Sequence, residues 1–177
     1  MTCVTLRTTK GTLDESWNKS WGFDTLIDAG VEQKLKVILY ADVADYSRLT
    51  GADELGTHRK LSSSLDLISA QIKKHDGDVV HYAGDAVLAN FVSVNAAVKC
   101  AVSCQKLLEA ENWHVAKEDQ LRFRVGINLG EVIIDRDDIY GDGVNIAARL
   151  ETLADPGGIC ISASVHDQIK GVFDLQV

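Results

Sequence analysis

This chain has no apolar run of membrane-spanning length and no signal-peptide pattern behind Met1. It reads as cytoplasmic, or as a soluble piece of something larger. It also lacks an excess of positive charge. The 18 Lys and Arg stand against 26 Asp and Glu, a formal charge of −8, which argues against nucleic acid as a bulk partner. An acidic chain that binds a polyphosphate needs metal ions or a local cluster of donors. Cysteine is sparse, and Cys3, Cys100, Cys104 and Cys160 do not look like a disulfide framework. Cys100 and Cys104 share an apolar helical stripe with Ala97 and Leu107, the pattern of buried thiols in a reducing compartment. Repeats and low-complexity segments are absent, and Pro156 is the single proline.

What is present is ordinary globular material. Hydrophobic residues make up 46% and charged residues 25% of 177, enough for one good core. Residues 1–34 stand apart as a leader or arm without sustained period, although Leu13, Trp17 and Trp21 recur at helical spacing. From Leu35 the pattern is orderly. "LKVILYADV" is a β-prone run, and Leu61, Leu65, Ile68 and Ile72 mark an amphipathic helix that Gly77 is expected to stop. "VVHYAGDAVLANF" reads as a hairpin turning at Ala83-Gly84-Asp85-Ala86. Ser93 can cap a helix from about Val94 to Glu111. Apolar alternation follows through Leu121–Ile127 and again through Val132 and Ile134. A third helix, "DGVNIAARLETLA", ends at Asp155-Pro156-Gly157-Gly158. This order predicts an α+β fold, a ferredoxin-like βαββαβ sandwich with added C-terminal α/β elements and helices on one face of a mostly antiparallel sheet.

Three groups of residues could carry chemistry. Asp42 ends the first strand and Asp85 sits in the hairpin turn, so a βαββ unit brings both to one sheet edge. Paired carboxylates there suit Mg²⁺ or Mn²⁺, although two ordinary strand-end aspartates would look the same. The loop Ala44-Asp45-Tyr46-Ser47 offers successive backbone N–H groups before a helix, a place for phosphate. Asn145 and Arg149, four apart, share one helical face. That face is either simply solvated or holds a sugar and a phosphoryl oxygen.

"LYADVADYSRL", "HYAGDAVLANF", "FRVGINLGEV" and "DDIYGDGVNIAARLE" together resemble the class III nucleotidyl cyclase catalytic domain, in its bacterial adenylate cyclase-like branch. The resemblance runs over 35–177 and implies a head-to-tail homodimer with two shared active sites. It implies that Asp42, Asp85 and the main-chain carbonyl of Val43 hold two Mg²⁺ or Mn²⁺ ions per site. Asn145 and Arg149 of the other protomer would then orient the ribose and neutralise the α-phosphate. ATP would become 3′,5′-cyclic AMP and pyrophosphate, in signal transduction under regulatory domains outside this chain.

The pattern departs in three places. Adenylate cyclases of this family usually have Lys where His81 stands, reading the base together with an acceptor at Asp138. His81 reads either as a weaker adenine donor, leaving GTP possible, or as a packed strand residue. Asp45 replaces the usual Gly of the phosphate loop but is a residue that tolerates positive φ. Val177 falls before the family's triphosphate-gripping Lys, as in a domain truncated at its C-terminus. The rival expectation is a catalytically silent cyclase homology domain that binds nucleotide or dimerises. A diguanylate cyclase would need a Gly-Gly-rich acidic turn where "HYAGDAV" stands.

Overall fold

A computed structural model describes residues 32–170. The leader up to residue 31, with Cys3 and the Leu13, Trp17 and Trp21 spacing, lies outside the described residues, as does the chain beyond 170. The first strand, β1 (Glu32–Val43), begins at Glu32 rather than at Leu35. Its extra residues pair with the far end of β4 (Phe123–Asp135), Glu32 opposite Ile134, so part of the expected arm belongs to the sheet.

β1 is central because Val37, Ile38 and Leu39 are all buried in succession, a run that suits a strand covered on both faces. Around it lie β2 (Gly77–Ala83), β3 (Ala86–Phe91) and β5 (Asp138–Tyr140) in the order β2-β3-β1-β4-β5. β6 (Ile159–Ile161) adds the one parallel pairing among the described strands, to β4. The two halves of the alternation between Leu121 and Ile134 form one continuous strand. Its apolar phase inverts because the buried face changes: Phe123, Val125 and Ile127 join the main core, whereas Val132 joins Ile38 and Leu88 on the other side.

The main core lies between the sheet and α2 (Glu54–Lys74), α3 (Val94–Glu111) and α5 (Ala163–Ile169). α3 starts where expected, with the Ser93 hydroxyl accepting from Ala96 N–H at 3.4 Å. Cys100 and Cys104 are buried and make no disulfide, their sulfurs 4.0 Å apart, and Cys160 is buried as well. α4 (Asp142–Leu153) corrects the expectation of helices on one face. It packs on the opposite face, against β4 and β1. Gly126 permits this, since a Cβ there would lie 2.1 Å from the Ala147 carbonyl oxygen and 2.4 Å from Glu151 N. Helix backbone rests directly on strand backbone, and only glycine leaves room for it.

Gly77 also plays a different part from the one expected. The helix ends at Lys74, Asp76 turns the chain at φ 57°, and Gly77 opens β2. A Cβ at Gly77 would meet the Phe91 ring at 2.3 Å. α2 is preceded by a short helix, α1 (Tyr46–Ala52), which ends at Asp53, whose carboxylate then caps α2 by accepting from Gly56 N–H at 2.9 Å.

Candidate active site

The β1–β3 pairing sets Ala41 opposite Val87, which carries Asp42 alongside the turn that joins β2 and β3. That turn is Gly84-Asp85, with positive φ at Gly84 alone (66°), the pattern of a type II′ hairpin. Asp42 and Asp85 come within hydrogen-bonding distance of each other. Burial, followed by the hydrogen bond and the charge of Asp85, pushes the Asp42 carboxyl up to about 6 from 3.8, although Val43 N–H donates to it at 2.9 Å. Two carboxylates brought this close, each disfavouring the other's ionisation, are a donor set that could hold a hard divalent cation. The expected pair is assembled. Among the described residues no group of three His, Cys, Asp or Glu side chains is poised for a metal.

A third carboxylate lies in the same field, and sequence reasoning missed it. Glu151 on α4 is 2% exposed and accepts from Arg124 Nε at 2.6 Å. Arg124 stands directly opposite Asp42 in the β1–β4 register. Burial raises the Glu151 carboxyl, Arg124 counters this, and the Asp85 charge adds to it. Tyr40 is raised by burial and then by Asp42, Glu151 and Asp85. The available signal was an Arg inside an otherwise apolar alternation, on the same face as Asp42.

Other expected residues are placed as follows. Asn145 and Arg149 project from the exposed face of α4, away from the buried stripe of Gly143, Ala147 and Leu150. The helix is held by Asn128 Nδ2 donating to the Gly143 carbonyl at 3.0 Å and by the Arg124–Glu151 pair. Asp45 adopts φ 57°, ψ 33°, so the turn survives without glycine. Ala44 is a correction: its N–H is spent on the Arg122 carbonyl at 2.8 Å and cannot serve a phosphate. Tyr46 and Ser47 open α1, where helix geometry leaves N–H groups without intrahelical acceptors. His81 Nδ1 lies 2.9 Å from Asp138 Oδ1, which also accepts from Ile139 N–H at 2.8 Å. The expected base-reading pair is therefore in contact. A larger groove of about 830 Å³, lined in part by Gln105, Trp113, Arg122 and Pro156, contains none of these residues and lacks paired carboxylates.

The curled, mostly antiparallel sheet with helices on both faces is the fold of a nucleotidyl cyclase domain. The chain belongs to this family: its residues 32–177 match the adenylate and guanylate cyclase catalytic domain. It is 39% identical over 146 residues to a Rhizobium meliloti protein named as a candidate adenylate cyclase 3, covering 82% of this chain and 25% of that one. The chain thus spans about a quarter of that relative's length. Among solved structures it is similar to an adenylate/guanylate cyclase/hydrolase from Silicibacter pomeroyi, with TM-score 0.76, 35% identity, and coverage of 81% and 84%. It is also similar to the adenylyl cyclase CyaB from P. aeruginosa, with TM-score 0.71, 25% identity, and coverage of 80% and 83%.

The carboxylate pair has a consequence for stability. An acid whose folded pKa is raised stabilises the fold fully below its unfolded pKa and loses that contribution as pH rises through the folded one. Metal-free protein should therefore lose stability relative to Asp42→Asn as pH rises from about 4 to about 6, and level off above. Mn²⁺ added above that range should raise the melting temperature of wild type and not of Asp42→Asn. Thermal melts in chelator across pH check this. A constant difference between the two proteins would mean that the carboxylates do not interact.

Proposed function

We propose that this domain converts ATP to 3′,5′-cyclic AMP and pyrophosphate at a site shared between two copies in a head-to-tail homodimer. The observation that carries the reading is Asp42 beside Asp85, two partly buried carboxylates brought together where the end of β1 meets the β2–β3 turn. Asp42, Asp85 and the Val43 carbonyl would hold two Mg²⁺ or Mn²⁺ ions, whose charge would acidify the ribose 3′-hydroxyl and balance the leaving pyrophosphate. In the reaction an O3′–Pα bond forms and the bond from Pα to the bridging oxygen breaks. Arg149 of the other copy would neutralise charge developing on the α-phosphate, and Asn145 would orient the ribose. Their exposure on α4 leaves them free to reach across an interface. Tyr46 and Ser47 N–H groups would receive phosphate oxygens, while His81 and Asp138 would read the base.

A role as one module of a longer signalling protein agrees with the chain's short span on its relative. Among the described residues no helix is long and apolar enough to cross a membrane, in keeping with catalysis in the cytoplasm. The alternative, a silent homology domain, draws on Asp45, an exposed carboxylate at the expected phosphate loop. One assay separates the two. Purified protein incubated with ATP and Mn²⁺ should yield cyclic AMP and pyrophosphate in equal amounts by chromatography. Binding of ATP without cyclic product would establish the silent reading.

A further inference from the structure

α4 is seated on β4 through three contacts from one face of the strand. Arg124, Gly126 and Asn128 alternate along β4 and so look the same way. The buried Asn128 side chain donates from Nδ2 to the Gly143 carbonyl at 3.0 Å. Gly126 lets the helix backbone rest on the strand at Ala147. Arg124 Nε donates to Glu151 Oε1 at 2.6 Å, with Glu151 buried and Arg124 partly exposed. Gly143, Ala147 and Glu151 lie on successive turns of α4, so the helix is held along its length.

Asn145 and Arg149 stand between these contacts and are exposed. Asn145 is two positions past Gly143, and Arg149 two before Glu151, which turns each about 200° from its neighbour round the helix. The held face is therefore the back of the face that would meet nucleotide. A buried ion pair adds little stability over apolar packing of the same volume. Its geometry is directional, however, so it fixes how far the helix slides along the strand. Arg124 is also the residue opposite Asp42 in the β1–β4 register. One position on β4 thus joins the strand end that carries a carboxylate to the helix that carries Asn145 and Arg149.

We propose, resting on the cyclase reading above, that Arg124 and Glu151 are positioning residues that hold α4 where Asn145 and Arg149 reach nucleotide bound at the other copy's carboxylates. Neither touches the substrate. Their effect is exerted across the interface, on the site that their own helix completes. The site built on Asp42 and Asp85 of the same chain does not depend on them.

The test uses two inactive chains whose mixture leaves one intact site, with Asp42→Ala supplying α4 and Arg149→Ala supplying the carboxylates. Glu151→Gln, which keeps the shape and removes the charge, is added to one chain at a time. On the Asp42→Ala chain it should lower the recovered kcat by about ten-fold or more, since a misplacement of about 1 Å can cost about a hundred-fold. KM for ATP should change little, because the carboxylates and phosphate loop come from the other chain. On the Arg149→Ala chain the same substitution should leave recovery as in the unmodified mixture. Arg124→Lys keeps the charge but loses the planar Nε–H contact. It is run in the same two placements and decides the matter if Glu151→Gln does not fold by circular dichroism.

Equal loss from either chain, loss confined to the Arg149→Ala chain, loss carried by KM, or no loss would overturn the inference. Activity in the unmodified mixture would then leave the cyclase reading standing. Failure of both variants to fold would make the pair structural and overturn the inference as well. An unmodified mixture that exchanges subunits yet stays inactive would sink the shared site and this inference with it.

Discussion

Asp85→Ala should reduce Mn²⁺-dependent cyclic nucleotide formation by about three orders of magnitude or more, while the fold stays intact. The loss follows from removing one of two carboxylates whose joint negative charge is the reason a divalent cation would settle there. The fold should survive because Asp85 lies in a two-residue turn and is not among the buried core. Turn flexibility resides in Gly84, at φ 66°, and is untouched by the substitution. Stability above pH 6 should be unchanged or slightly higher, since Asp42 loses a like-charged neighbour and keeps the cost of its own burial and the charge of Glu151. The comparison needs turnover, far-ultraviolet circular dichroism and a melting curve on one preparation. Full turnover in Asp85→Ala would remove the two-ion mechanism, and loss of fold would make Asp85 a structural residue.

Mixing two inactive proteins should restore activity. Asp42→Ala lacks a carboxylate and Arg149→Ala lacks the cation on α4. If the site is shared, one of the heterodimer's two sites takes its carboxylates from the Arg149→Ala chain and its Asn145 and Arg149 from the Asp42→Ala chain. Statistical exchange of subunits makes half the dimers mixed, so recovery should approach about one quarter of wild-type activity. The geometry motivates the expectation: on one chain Arg124 and Glu151 face the carboxylates, while Arg149 lies on the exposed side of the same helix. Exchange is followed by tagging one variant and recovering the other with it. Proven exchange without recovered activity would sink the shared site.

Much of this was legible in the sequence, for reasons that can be stated residue by residue. The unbroken apolar run through Val37, Ile38 and Leu39 required a strand covered on both sides, and β1 is the central strand. Ser93 and the Asp155-Pro156-Gly157-Gly158 break set helix ends by local backbone chemistry. Asp42 and Asp85 could be paired in advance because a βαββ connection leaves few places for a strand end and a hairpin turn. The same local logic misled at Gly77. A glycine after a helical stretch reads as a stop, but this one is needed for the Phe91 ring, a contact made across the sheet.

By itself the sequence determined the elements, the strand-end carboxylates and the Asn145/Arg149 face, since all of these depend on periodicity and neighbours a few residues apart. Tertiary structure decided what depends on residues far apart in the chain. It put α4 on the opposite face of the sheet, where Gly126 lets two backbones touch. It buried Glu151 against Arg124, 27 positions away and opposite Asp42. It spent the Ala44 N–H on Arg122, and it curled the sheet until His81 met Asp138, 57 positions on. Periodicity reports which face a residue occupies. What that face meets is set by sheet twist and close packing, which no local pattern encodes.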